Sequence, residues 1–209
     1  MSAPSEAVSP AERWAFVGGC RIWYREGGVG QPLVHLHGAG GPSWDEAHRI
    51  FATRFRVIAP ALPGFGETTC DSRLDSLPAL AGVIAGFIRD VAGGKAHVLG
   101  SSFGGGVATW LALQEPDVLD RLVLESPASD TALRARLGEI RTPTLALFGT
   151  EDRQIPAEIG RLYKERIPDC QFALVYQAGH IIRRDRPEAF ARLVADFLDR
   201  GPAFLVNRG

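Results

Sequence analysis

Short apolar runs alternate with longer amphipathic ones along most of this chain. Pro32–Leu36, Arg56–Ala59, Ala96–Leu99, Arg121–Glu125, Thr144–Phe148 and Gln171–Tyr176 are compact and largely apolar, with turn-forming residues around them. They read as buried strands. Between them the period changes to that of a helix. Leu74–Val91 carries Leu77, Leu80, Ile84, Phe87, Ile88 and Val91 on one face. Further helices are predicted from Ser43, as N-cap, to about Thr53, and from the glycines after Phe103 to about Gln114. Two more are predicted at Pro156–Ile167, starting on a first-turn proline, and at Arg186–Leu198. At the front, Arg13–Val17 and Cys20–Arg25 are strand-like and joined by Gly18-Gly19, a hairpin signal.

Strands alternating with helices, with no repeat and no linker, predict an α/β fold: a mostly parallel sheet covered on both faces, with an N-terminal antiparallel hairpin. One domain is expected over residues 13–209. Residues 1–12 are polar and contain Pro, so a disordered tail is expected there, with no apolar signal-peptide core.

Composition narrows the picture further. Of the 209 residues 45% are hydrophobic and the formal charge is −1, so neither a nucleic-acid nor a membrane partner is expected. No apolar run approaches the length of a membrane span. The basic cluster Arg183, Arg184 and Arg186 reads as a solvated helix start. Cys20, Cys70 and Cys170 are odd in number and far apart, so they are expected to be unpaired thiols in a cytoplasmic protein.

Candidate chemistry centres on Gly100-Ser101-Ser102-Phe103-Gly104, a G-x-S-x-G between a strand and a helix start. In that context Ser102 occupies a strained turn with its hydroxyl exposed. A Cβ at Gly100 or Gly104 would collide with the neighbouring strand or helix. The Phe103 amide, at the start of the helix, is an oxyanion donor. Ser101 is the adjacent competitor, at an x position. Three further features join it. His37-Gly38-Ala39-Gly40-Gly41 ends a strand, and its glycines let backbone amides approach a ligand, with Ala39 the second oxyanion donor. Asp152 lies in the acidic loop Gly149–Pro156 and can orient a histidine, with Glu151 and Glu125 as rival acids. His180 follows the last strand. Among the other histidines, His35 and His97 fall in strands and read as structural. His37 reads as serving backbone geometry or a ring hydrogen bond in its turn, and His48 as solvated on a helix.

With Ser102, Asp152 and His180 in that order, the chain resembles an α/β-hydrolase-fold serine hydrolase across Phe16–Leu198. HGAGG, APALPGFGE, GSSFGG, FGTEDRQIP and AGHIIRRDRPEAF occur in family order. The resemblance implies Ser102 as nucleophile, Asp152 as acid, His180 as base, and Ala39 and Phe103 as backbone oxyanion donors. Gly38, Gly40 and Trp44 would line the substrate pocket beside Phe103, with core packing an equal alternative for Trp44 and Phe103. No metal or organic cofactor is needed. Two departures stand out. Ala61 occupies a position where relatives often have Asp. Only residues 126–143 remain where relatives commonly insert a helical lid, with room for one short helix at about Thr131–Leu137.

The implied chemistry is hydrolysis of a small carboxylic ester or thioester through an acyl-enzyme. The same triad can serve C–C bond hydrolysis, perhydrolysis or lyase chemistry, and the scaffold can serve as a ligand receptor or interaction module. The partner implied is a small acyl substrate. A nearly lidless site implies either a monomer with an open cleft or a homodimer that covers it.

Overall fold

The computed structural model describes residues 9–72, 74–201 and 203. Nine strands form one sheet: β1 (Ala11–Val17), β2 (Cys20–Gly27), β3 (Pro32–Leu36), β4 (Arg56–Pro60), β5 (Thr69–Cys70), β6 (Ala96–Ser101), β7 (Leu119–Glu125), β8 (Thr144–Gly149) and β9 (Cys170–Val175). Their order is β1-β2-β4-β3-β6-β7-β8-β9, with β5 paired to β2. β1, β2 and the β2–β4 pair are antiparallel, and every pair from β4 to β9 is parallel. Among the described residues there are seven α-helices, α1 (Glu46–Phe51), α2 (Leu77–Val91), α3 (Phe103–Gln114), α4 (Thr131–Arg136), α5 (Glu158–Arg166), α6 (Ile182–Asp185) and α7 (Pro187–Arg200), and two 3₁₀ turns, Pro116–Val118 and Leu137–Glu139.

The central strands read as near-continuous apolar runs because both faces are covered. One face packs α2, α3 and Tyr163 of α5 around Ile22, Val34, Val98 and Phe148. The other packs α1 and α7, through Phe51, Phe190, Val194 and Phe197, onto Leu33, Leu99, Val123 and Leu145. α7 holds Pro187 at its first position, where the missing N–H has no partner to lose. No helix among the described residues is long and apolar enough to cross a membrane.

Several boundaries differ from the expectation, each for a local reason. α1 begins at Glu46 because Asp45, not Ser43, holds the extended N-cap conformation. α5 begins at Glu158: Ile159 and Gly160 donate to Pro156 and Ala157, so the turn after Pro156 is of the tighter 3₁₀ kind. β1 starts at Ala11, inside the expected tail, because Ala11 and Glu12 pair with Glu26 and Arg25. The rest of that tail, residues 1–8, lies outside the described residues.

The cysteine expectation is corrected. β5 is only two residues long and carries no periodicity to read, yet it pairs with β2 in the register Cys20↔Cys70. That register sets the two side by side, and they form a disulfide. Only Cys170 is a free thiol, and burial pushes its pKa up to about 12.

Candidate active site

The site stands at the carboxyl ends of β3, β6, β8 and β9. β6 ends at Ser101 and α3 starts at Phe103, so the whole reversal falls on Ser102, with φ 50° and ψ −113°. A side chain in that region costs about 1–3 kcal/mol and needs surroundings that hold it. Here the Ser102 amide donates to the Glu125 carbonyl (2.9 Å), and its carbonyl accepts from Ala128 (2.8 Å) and Gly106 (3.1 Å). Close approach of backbone explains the flanking glycines. A Cβ on Gly104 would lie 2.2 Å from the Leu36 carbonyl oxygen, and one on Gly100 would lie 2.6 Å from that of Gly104.

Three side chains converge at this turn. The Ser102 Oγ lies 2.9 Å from His180 Nε2, and His180 Nδ1 lies 2.9 Å from Asp152 Oδ2. The other Asp152 oxygen, Oδ1, accepts from the amides of Gln154 (2.8 Å) and Ile155 (3.0 Å). Burial works to raise the Asp152 pKa. The hydrogen bonds from Ile155, His180 and Gln154 outweigh it, so the net shift is downward and the group is a carboxylate at neutral pH. An ionised Asp152 requires the His180 hydrogen on Nδ1, which leaves Nε2 to accept the Ser102 proton. Of the rival acids, Glu151 is exposed on the loop. Glu125 is buried and turned to other partners, described below.

The expected oxyanion loop faces the same turn. A Cβ on Gly38 would stand 3.3 Å from the Ser102 Cβ, and Gly41 donates to the Gly38 carbonyl (3.1 Å), so Ala39 sits inside a tight turn beside Ser102. Phe103 is the first residue of α3, where an N–H has no partner within the helix. His37 behaves as its position suggested: its ring lies 2.7 Å from the Gly38 carbonyl and accepts from the Leu62 amide (3.0 Å).

A cavity of about 700 Å³ opens beside Phe103, walled by Pro63, Thr68, Cys70, Leu74, Leu77 and Leu80 among others. Gly40 borders open space. Trp44 does not line this cavity. Its ring stacks on His48 at 5.2 Å and packs toward the α1/α7 core.

Behind the elbow lies a polar cluster that sequence reasoning missed. His48, expected to be solvated, is 2% exposed, and Arg183, assigned to a solvated helix start, is 5% exposed. The Arg183 amide donates to Glu125 Oε1 (2.9 Å), its Nη1 to Glu125 Oε2 (2.6 Å), and its Nε to Asp45 Oδ2 (3.0 Å). Ser101 donates to Glu125 and lies 2.9 Å from His35 Nε2. His35 Nδ1 lies 2.7 Å from His48 Nε2, and His48 Nδ1 lies 2.7 Å from Asp45 Oδ1. Burial acts to raise the Asp45 pKa, but the His48 hydrogen bond, with the charges of His48 and Arg183, brings it down to about 2. An Arg three residues past a site histidine was the one available signal. Its neighbours Arg184 and Arg186 are exposed and made it look ordinary.

The chain belongs to the alpha/beta hydrolase fold family, whose model matches residues 31–136, just over half of the chain. It is similar to the dihydrolipoyllysine-residue acetyltransferase component of the acetoin cleaving system of Cupriavidus necator, with 34% identity over 128 residues. That match takes in 60% of this chain but only 34% of the relative. It is also similar to the 2-hydroxy-6-oxo-6-phenylhexa-2,4-dienoate hydrolase of Burkholderia cepacia, at 24% identity with 87% of this chain and 92% of that one covered. Among solved structures, a predicted CIB-like hydrolase from Thermoplasma acidophilum superposes with a TM-score of 0.83 at 27% identity, covering 91% of this chain and 98% of that one.

Proposed function

We propose that the protein is a serine hydrolase that cleaves a small carboxylic ester or thioester through an acyl-enzyme. One observation carries the reading: the unbroken line Ser102–His180–Asp152, 2.9 Å at each contact, at a strained strand–helix turn. His180 takes the Ser102 proton as Oγ attacks the carbonyl, and Asp152 holds the imidazole in the right tautomer. The Ala39 and Phe103 amides receive the oxyanion, a donor pair worth about 3–4 kcal/mol per donor in comparable sites. His180 then returns the proton to the leaving group and activates the water that releases the acid. Gly38 keeps the oxyanion loop against Ser102, and the cavity beside Phe103 takes one end of the substrate. No cofactor enters this scheme.

Access is the second part of the proposal. Between β7 and β8 the chain has α4 and one short 3₁₀ turn, with Leu133 and Leu137 buried inward. The match to the Burkholderia cepacia relative spans 266 positions, more than the whole of this chain, in keeping with a lid that is nearly absent here. An open cleft on a monomer, with broad selectivity and weak affinity for small esters, follows.

The test is an ester series of p-nitrophenyl acyl compounds of graded chain length, with fluorophosphonate labelling mapped by mass. Turnover with label on Ser102 supports the reading, and label on Ser101 or no label overturns it. C–C bond hydrolysis is the second reading, favoured by the similarity to the dienoate hydrolase. It replaces the first if a 2-hydroxy-6-oxo-dienoate is turned over with higher kcat/KM than the best ester.

A further inference from the structure

The buried cluster behind the elbow can be read by counting hydrogens. A line of four contacts runs Asp45–His48–His35–Ser101–Glu125, and each needs one hydrogen between its heavy atoms. Two neutral imidazoles and one hydroxyl supply only three. The line is therefore one proton short unless a group in it holds an extra one.

The surroundings decide where that proton sits. Glu125 accepts from the Arg183 amide and from its guanidinium, which makes it a carboxylate. The single Ser101 hydrogen then goes to Glu125, and the Ser101 oxygen receives Arg183 Nη1 at 3.3 Å. His35 Nε2, 2.9 Å from the same oxygen, must consequently carry a hydrogen and donate. Asp45 is likewise a carboxylate, taking the Arg183 Nε. The Asp45 amide N–H is directed at His48 Nδ1 (3.1 Å) as half of a capping box, but the Asp45 carboxylate oxygen is nearer, at 2.7 Å, is charged, and has no hydrogen to give, so it is the stronger partner for that nitrogen. His48 Nδ1 therefore also bears a hydrogen. One more lies between His35 Nδ1 and His48 Nε2, 2.7 Å apart.

We propose that His35 and His48 together carry three ring hydrogens and one positive charge in the folded protein, and that this charged pair is a positioning device for the site. Two carboxylates, one guanidinium and one dihistidine cation make the buried cluster neutral, the condition under which burying so many charges is tolerable. Burial, with His48, Arg183 and His37 adding to the effect, drives His35 toward its neutral form, and the His48 ring stands 2.7 Å from the Asp45 carboxylate.

The cluster joins the three segments that bring the site together. His35 lies on β3 before the Gly38–Ala39 turn, Ser101 precedes Ser102, and Arg183 follows His180 by three residues. Glu125 binds Ser101 and Arg183 by its side chain and the Ser102 amide by its carbonyl. Losing the proton would bring two bare lone pairs face to face at one contact and shift the elbow against the His180 turn. The positioning part rests on the roles proposed above for Ser102 and His180; the proton count does not.

The experiment uses the intact protein labelled with ¹⁵N-histidine. At neutral pH three of the four ring nitrogens of His35 and His48, assigned with His35→Gln and His48→Gln, should bear slowly exchanging hydrogens. Two would overturn the proton count, whatever the enzyme hydrolyses. In parallel, kcat and KM for p-nitrophenyl acetate are followed against pH. Wild-type kcat should hold over the pH range in which the ¹⁵N spectra show three ring hydrogens and fall where they show two. His48→Gln should lack that step and show a kcat about ten- to a hundredfold lower, with KM within about twofold. The same pH profile in both proteins would overturn the positioning role.

Discussion

Ser101 and Ser102 are neighbours in sequence, and each lies 2.9 Å from a histidine nitrogen. Behind each histidine a carboxylate follows, directly for Ser102 and through a second histidine for Ser101. Their environments differ in every other respect. Ser101 ends a strand, is 3% exposed, and has its hydrogen and both lone pairs committed to Glu125, His35 and Arg183. Ser102 sits at positive φ, half-buried, next to Phe103 on the cavity wall, with one side-chain partner. A serine–histidine–acid line is thus no measure of reactivity by itself. What separates the two is a half-buried hydroxyl with one side-chain partner, against a buried hydroxyl whose hydrogen and lone pairs are all spent on its neighbours.

That contrast is sharpest in the two alanine variants. Ser102→Ala should abolish fluorophosphonate labelling and lower turnover by about 10³-fold or more with little change in Tm. Labelling that persists at Ser101 would erase the distinction. The acids should divide in the same way. Asp152→Asn should lower kcat by about 10²–10⁴-fold by favouring the wrong His180 tautomer. Glu125→Gln should cost less rate but about 3 kcal/mol of stability, because it leaves the Arg183 charge buried with half its counter-charge. Steady-state kinetics and chemical denaturation on both variants check this; a larger rate loss in Glu125→Gln would move the acid to β7.

A smaller effect is expected for Ser101→Ala. It leaves Glu125, His35 and Arg183 each without one partner and should destabilise by about 1–3 kcal/mol, while fluorophosphonate still reaches Ser102. Acid pH probes the far end of the cluster. Because the folded pKa of Asp45 is depressed from 3.8 to about 2, its contribution is present above about pH 4. It is lost as the pH falls toward 2, and amounts to roughly 2 kcal/mol. Urea denaturation of wild type and Asp45→Asn across that range should converge as the pH drops; parallel curves would remove Asp45 from the ionised cluster.

Much of this was legible along the chain. The parallel strands announced themselves because strands covered on both faces are apolar throughout, and Pro32–Leu36 was read to the residue. The elbow was legible because Gly100 and Gly104 answer a steric demand that reaches only across a local turn. Two-residue β5 was not, since two residues hold no period, and with it went the Cys20–Cys70 bridge. Trp44 illustrates the same limit: along the chain a pocket wall and core packing were equally open to it, and only the fold shows its ring stacked on His48.

The sequence by itself determined the alternation of elements, the strand–helix turn around Ser102, and the order Ser102, Asp152, His180, because each depends on neighbours within a few residues or on position relative to a strand end. Only the tertiary structure decided which polar groups leave water. His48, Arg183 and Glu125 are ordinary charged or titratable residues in their own segments, on α1, α6 and β7. They become a buried neutral cluster because the sheet brings those segments under one turn, and the balance of charge among them exists only once all are in place.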